Sequence, residues 1–135
     1  MSIHLEKENL LNTQEMEVAV NGPDGATHLI ICTGHAHLGA LGHESYTFLV
    51  GPRLSRRQFV AVIASGALSK FQLGETKPSE DKTETHREAN LLSITGEYDD
   101  ECNRVKIRAD VSPGSALNKL SISYSVNILA ELQKY

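Results

Sequence analysis

The chain has no tryptophan and only three phenylalanines and four tyrosines among its 135 residues. Any core must therefore be largely aliphatic, and a hydrophobic content of 40% is enough for one. Cysteine is scarce too: Cys32 and Cys102 stand far apart, which excludes a disulfide framework and predicts two reduced thiols. Basic residues are not in excess. Thirteen Lys and Arg against seventeen Asp and Glu leave a formal net charge of −4, which argues against binding to nucleic-acid phosphates. The one basic cluster, Arg53, Arg56 and Arg57, reads as a solvated helix start. No apolar run approaches the ~20 residues that span a bilayer, and the opening MSIHLEKENLL is unlike a secretory signal. A cytoplasmic location is the expectation. Missing as well are a P-loop, a G-x-S-x-G elbow, a dinucleotide fingerprint and a paired-cysteine zinc motif.

What is present reads as a single domain over residues 1–135. QEMEVAVN alternates with Met16, Val18 and Val20 on one face, the period of a half-buried strand. NGPDG is a turn, and THLIICT, continuously apolar, reads as a strand buried on both faces that pairs back as a hairpin. ESYTFLV alternates again through Tyr46, Phe48 and Val50. Ser55 and Gln58 can form a capping box, and Phe59, Val62, Ile63, Gly66, Ala67 and Phe71 recur at helical spacing. These features predict a helix from Ser55 to Phe71, with Gly66 allowing close approach to a sheet. A polar loop at 74–89 follows. LLSITGEY, RVKIRADV and LSISYSVNI then alternate as strands, with Leu120, Ile122, Tyr124, Val126 and Ile128 on the packed face of the last. The closing LAELQKY is read as turning helical. The predicted fold class is α+β, a mainly antiparallel sheet of about six strands with one principal helix packed on it.

The segment CTGHAHLGALGHE, from Cys32 to Glu44, gathers three of the six histidines. His35 and His37 point to one face if they continue a strand, and His43 can swing back if Gly39 and Gly42 bend the chain. A metal site using His35, His37 and His43 with a divalent transition metal is one reading. A glycine-rich connection with part-exposed histidines is another. Cys32, inside LIICT, reads as a small hydrophobe rather than a nucleophile. His35-x-His37 with Glu44 and Gly51 resembles the first metal motif of the cupins, although their second motif is not found downstream.

LIICTG, two residues, then HLGAL resembles more closely the signature of the LpdD-like proteins, small prenylated-flavin chaperone-like domains associated with UbiD-type decarboxylases. In these an apolar strand ending in Thr-Gly-Gly is followed by His-Ile-Gly-Ala. Thr33, Gly34, His37, Leu38, Gly39 and Ala40 match or nearly match, while His35 replaces the second glycine. The family's His-Lys-Glu and Gly-Ile-His elements have no counterpart, and the resemblance covers residues 16–50. It implies a non-catalytic accessory protein that binds FMN or prenylated FMN through Thr33, Gly34, His37 and Gly39. A UbiD-type decarboxylase is the implied partner. Sheet edges add the expectation of a homo-oligomer, a homodimer in the simplest case.

Overall fold

Alternation decides the architecture. On Arg104–Ser112 the residues Val105, Ile107, Ala109 and Val111 are all buried, and on Leu117–Glu131 so are Ile122, Tyr124, Val126, Ile128 and Ala130. Each strand seals one face and leaves the other to a different environment. The computed structural model describes residues 2–20, 27–38, 45–73, 90–112 and 117–132. These form β1 (Ser2–His4), a single 3-10 turn (Lys7–Asn9), β2 (Leu10–Ala19), β3 (Thr27–His37), β4 (Ser45–Val50), β5 (Phe59–Leu73), β6 (Asn90–Asp99), β7 (Arg104–Ser112) and β8 (Leu117–Glu131).

The strands make two four-stranded sheets, a front sheet in the order β1-β4-β7-β6 and a back sheet in the order β2-β3-β8-β5. Every pairing is antiparallel except β1 with β4. The sheets pack face to face around one core, to which β4 brings Tyr46, Phe48 and Val50 and β3 brings Ile30, Cys32 and Ala36. The rings of Phe48 and Tyr124 meet across it with centroids 5.1 Å apart. The fold is thus a β-sandwich, not the α+β domain expected from sequence. No helix among the described residues is long and apolar enough to cross a membrane.

The principal helix is the main correction. Ser55 and Gln58 do bond reciprocally, the Ser55 amide donating to Gln58 Oε1 at 2.8 Å and the Gln58 amide to Ser55 Oγ at 3.3 Å. The turn stops there because tertiary contacts seize it. Tyr98 donates its hydroxyl to the Leu54 carbonyl at 2.6 Å, and its ring packs on Phe59. The Leu54 amide donates to the Asn103 carbonyl at 2.8 Å, and Arg56 pairs with Asp100 at 3.1 Å. This fastens the turn to the β6–β7 hairpin, and the chain leaves it extended. The register of β5 against β8 shifts between Phe59 and Ala61. That bulge puts the inward residues at Phe59, Val62, Ala64 and Gly66, three apart and then two apart. A bulged strand therefore imitates helical spacing. Val62 packs against the core, while Ile63, assigned to the same face by the helical reading, is 71% exposed.

Three smaller corrections follow. β3 is not sealed on both sides: its even residues from Ile30 to Leu38 are buried and its odd ones from Leu29 to His37 only partly. On β2 the period was legible but the face is reversed. Glu15 pairs with Cys32 and Glu17 with Ile30, so the acidic residues face inward along an edge strand, while Met16, Val18 and Val20 face out. Leu129–Glu131 completes β8 instead of turning helical, and Ala130 is fully buried. The expected loop at 74–89 lies outside the described residues.

Gly66 separates the two folds by sign. In a helix Gly66→Ala would stabilise by about 1 kcal/mol. Here a Cβ would stand 2.9 Å from the Ser123 carbonyl oxygen and 3.1 Å from Ile94 Cδ1. The expected outcome is a loss of about 1–3 kcal/mol, read as a lower urea midpoint at unchanged m-value.

Candidate functional site

β3 carries most of the residues singled out by sequence, and its geometry distributes them. Thr33, His35 and His37 share the outward face of the back sheet, whereas Gly34 faces inward. His37 Nδ1 lies 3.2 Å from Ser121 Oγ, and His35 Nδ1 3.5 Å from the Asn12 side-chain nitrogen. Gly39 and His43 lie outside the described residues. Among the described residues no three His, Cys, Asp or Glu side chains are grouped to hold a metal. The glycine of the Thr-Gly pair has a steric task. A Cβ at Gly34 would meet the Tyr124 hydroxyl oxygen at 2.6 Å, so glycine there makes room for a tyrosine ring between the sheets. β3 is also paired on both sides, by β2 and β8, so its backbone is committed to ladders rather than forming a phosphate-binding loop.

The Tyr124 hydroxyl that Gly34 admits borders a cavity of ≈540 Å³ between the sheets, at the β1–β2 corner. Its buried wall is Leu5, Cys32, Val50 and Tyr124, and its exposed rim carries His4, Glu6, Lys7 and Glu15. Thr33 borders the same space but turns its side chain to the outward face of the sheet, and Gly34 stands behind the tyrosine.

Arg104, at the start of β7, reaches into this space. Its Nε donates to the Gly51 carbonyl at 2.8 Å. That carbonyl is presented because Gly51 turns the chain at the end of β4 with φ +78°, where a Cβ would also strike Ile128 Cδ1 at 2.8 Å. Glycine is required there on both counts. Among the described residues no carboxylate pairs with the Arg104 guanidinium. The two polar groups of the buried wall are uncharged: burial pushes the Cys32 thiol up to about 11, with the Glu15 carboxylate at the rim adding to the effect, and burial raises Tyr124 to about 12. Both present X–H groups at neutral pH.

Sequence reasoning missed this site because its lining comes from six separate segments, the chain start, β2, β3, the end of β4, the start of β7 and β8. The one available signal was the inward period of Glu15 and Glu17, which marks an edge strand whose inner face is not covered by the opposite sheet.

The Cys32 thiol predicts an alkaline weakness. Its folded pKa, about 11, lies above the 9.0 of a free thiol. The folded state therefore holds this proton more tightly, and the stability so gained is complete below about pH 9 and lost as pH rises to about 11. Cys32→Ser is expected to lower stability at pH 7 but to flatten the decline between pH 9 and 11 in urea titrations; an unchanged slope would contradict the assignment.

No family model, curated protein or solved structure matches the chain, so the functional reading rests on the geometry of the cavity itself.

Proposed function

We propose that this chain is a non-catalytic accessory or binding protein that seats a small anionic ligand with an apolar body in the cavity between its sheets. The observation that carries this reading is Arg104, fastened through Nε to Gly51 with no carboxylate partner among the described residues, over a wall of Leu5, Val50, Cys32 and Tyr124. A guanidinium held by one nitrogen keeps its outer N–H groups aligned for a carboxylate or phosphate. The volume falls within the ~300–1,000 Å³ of small-molecule sites, and an apolar interior with a few polar groups at fixed places is their usual composition. Cys32 and Tyr124, both held protonated, supply donors to a bound molecule rather than nucleophiles.

Flavin mononucleotide, with its phosphate and ring system, belongs to this ligand class, as does its prenylated form. The resemblance to the LpdD-like proteins meets the cavity through Gly34, which makes room for the Tyr124 ring in its wall. Delivery of such a cofactor to a UbiD-type decarboxylase is the accessory role that accompanies this reading.

The test is equilibrium binding of FMN and of octyl phosphate, followed by flavin fluorescence and by thermal shift. At a ligand concentration a hundredfold above Kd, the folded state gains about 2.7 kcal/mol. Arg104→Met is expected to weaken affinity at least tenfold, in keeping with the ~1.5–3 kcal/mol of a charge-assisted hydrogen bond. Failure of both ligands to bind at millimolar concentration, or equal affinity in the variant, would refute the assignment.

A further inference from the structure

We propose that the outward face of the back sheet is an interface at which two copies of this chain meet. Of the six large hydrophobic residues left exposed among the described ones, Leu11, Met16, Val18, Val20 and Ile63 lie on this face, and Val60 sits in the β5 bulge at its margin. Scattered exposed hydrophobics are ordinary on soluble proteins, but their collection on one face is not. The middle of the face is also free of fixed charge, with Glu131 and Lys70 standing only in its two end rows. Across the four register rows from Leu29 to His35 no position is Asp, Glu, Lys or Arg, although such residues make up 22% of the chain. The outward face of the front sheet is the opposite: Lys106 pairs with Asp99 at 3.0 Å and Arg108 with Asp110 at 3.0 Å. The front sheet is built for water and the back sheet for a partner.

The rows identify that partner as a second copy. A twofold axis in the interface plane, parallel to the strands, reverses the strand order and lays β2 over β5 and β3 over β8. Each row then meets itself reversed. Met16 of one copy covers Ile63 of the other, and the row of Val18, Leu29 and Leu129 meets the same apolar row. His35 faces the Ser123 hydroxyl of the second copy, an imidazole against a group that both donates and accepts. For a chain of net charge −4, an uncharged surface is where two copies can approach with least repulsion.

The size is adequate. Four strands about 4.8 Å apart, and nine residues from Leu29 to His37 at about 3.3 Å each, cover roughly 550 Å². Two copies so joined bury roughly 1,100 Å² before side-chain relief is counted, enough for a specific contact. The inward Glu15 and Glu17 discourage strand addition at the β2 edge, so association is directed to the face instead of the edge.

Sedimentation velocity of the full chain tests this. At tens of micromolar the native protein is expected at twice the chain mass. Ile63→Lys, and separately Met16→Lys, should return it to the chain mass with an unchanged circular dichroism spectrum, while Thr95→Glu on the front sheet leaves the dimer intact. Ser65→Lys makes the same test should either apolar replacement fail to fold. A native protein at the chain mass, or a dimer that survives all the back-sheet variants, would overturn the proposal.

Discussion

Everything in this molecule depends on the antiparallel ladder between β3 and β8, unbroken from Thr27 opposite Glu131 to His37 opposite Ser121. A strand has a period of two, so this one register decides every residue on both faces. It sends Ile30, Cys32, Ala36, Ile122, Tyr124, Val126 and Ile128 into the core. It leaves Leu29, Ile31, Thr33, His35 and His37 on the other side. A slip of one residue would exchange the two sets, burying imidazoles and hydroxyls and exposing the aliphatic core, which is why such a register is strongly specified.

Cavity and interface are the two consequences of that division. On the inward side, Gly34 opposite Tyr124 gives the tyrosine ring room, and the ring takes its place beside Phe48 and at the cavity wall. On the outward side, between Leu29 and His37, the same strand pair carries an uncharged strip of aliphatic, amide, hydroxyl and imidazole side chains. The described part of the histidine-rich stretch, Cys32 to Leu38, serves both: its even positions pack and its odd positions face out. The front sheet supports this arrangement by tying itself together with polar contacts. Asp110 accepts hydrogen bonds from Ser45, Arg108 and Ser93, and the Ser45 hydroxyl above all holds its carboxyl below the usual range.

How much of this could be read from the residues varies by element. β7 was legible throughout, and β8 as far as Ile128, because aliphatic and polar residues alternate there; the last residues of β8, from Leu129, were read as turning helical. The β2–β3 hairpin was legible as a hairpin, but β2 was assigned the wrong buried face, since an edge strand that turns Glu15 and Glu17 inward breaks the rule that carboxylates face out. β5 was misread for a precise physical cause: the bulge after Phe59 changes its spacing, and a genuine capping-type turn at Ser55 stands directly before it. That His35 and His37 share a face followed from period two alone. The cavity was not legible, because Arg104, Cys32 and Glu15 meet only through the topology, and nothing local marks Arg104 as different from its neighbours.

The most direct measurement of the account is the pattern of nuclear Overhauser contacts in Phe59–Leu73, the segment on which sequence and structure disagree. Cross-strand contacts from Ala64 to Val126 and from Ser65 to Ser125 are the predicted result, since those pairs are opposite in the ladder. A run of contacts between residues three apart through Val62, Ser65 and Leu68, with no contacts to β8, would show a helix there and contradict the sandwich on which cavity and interface both rest.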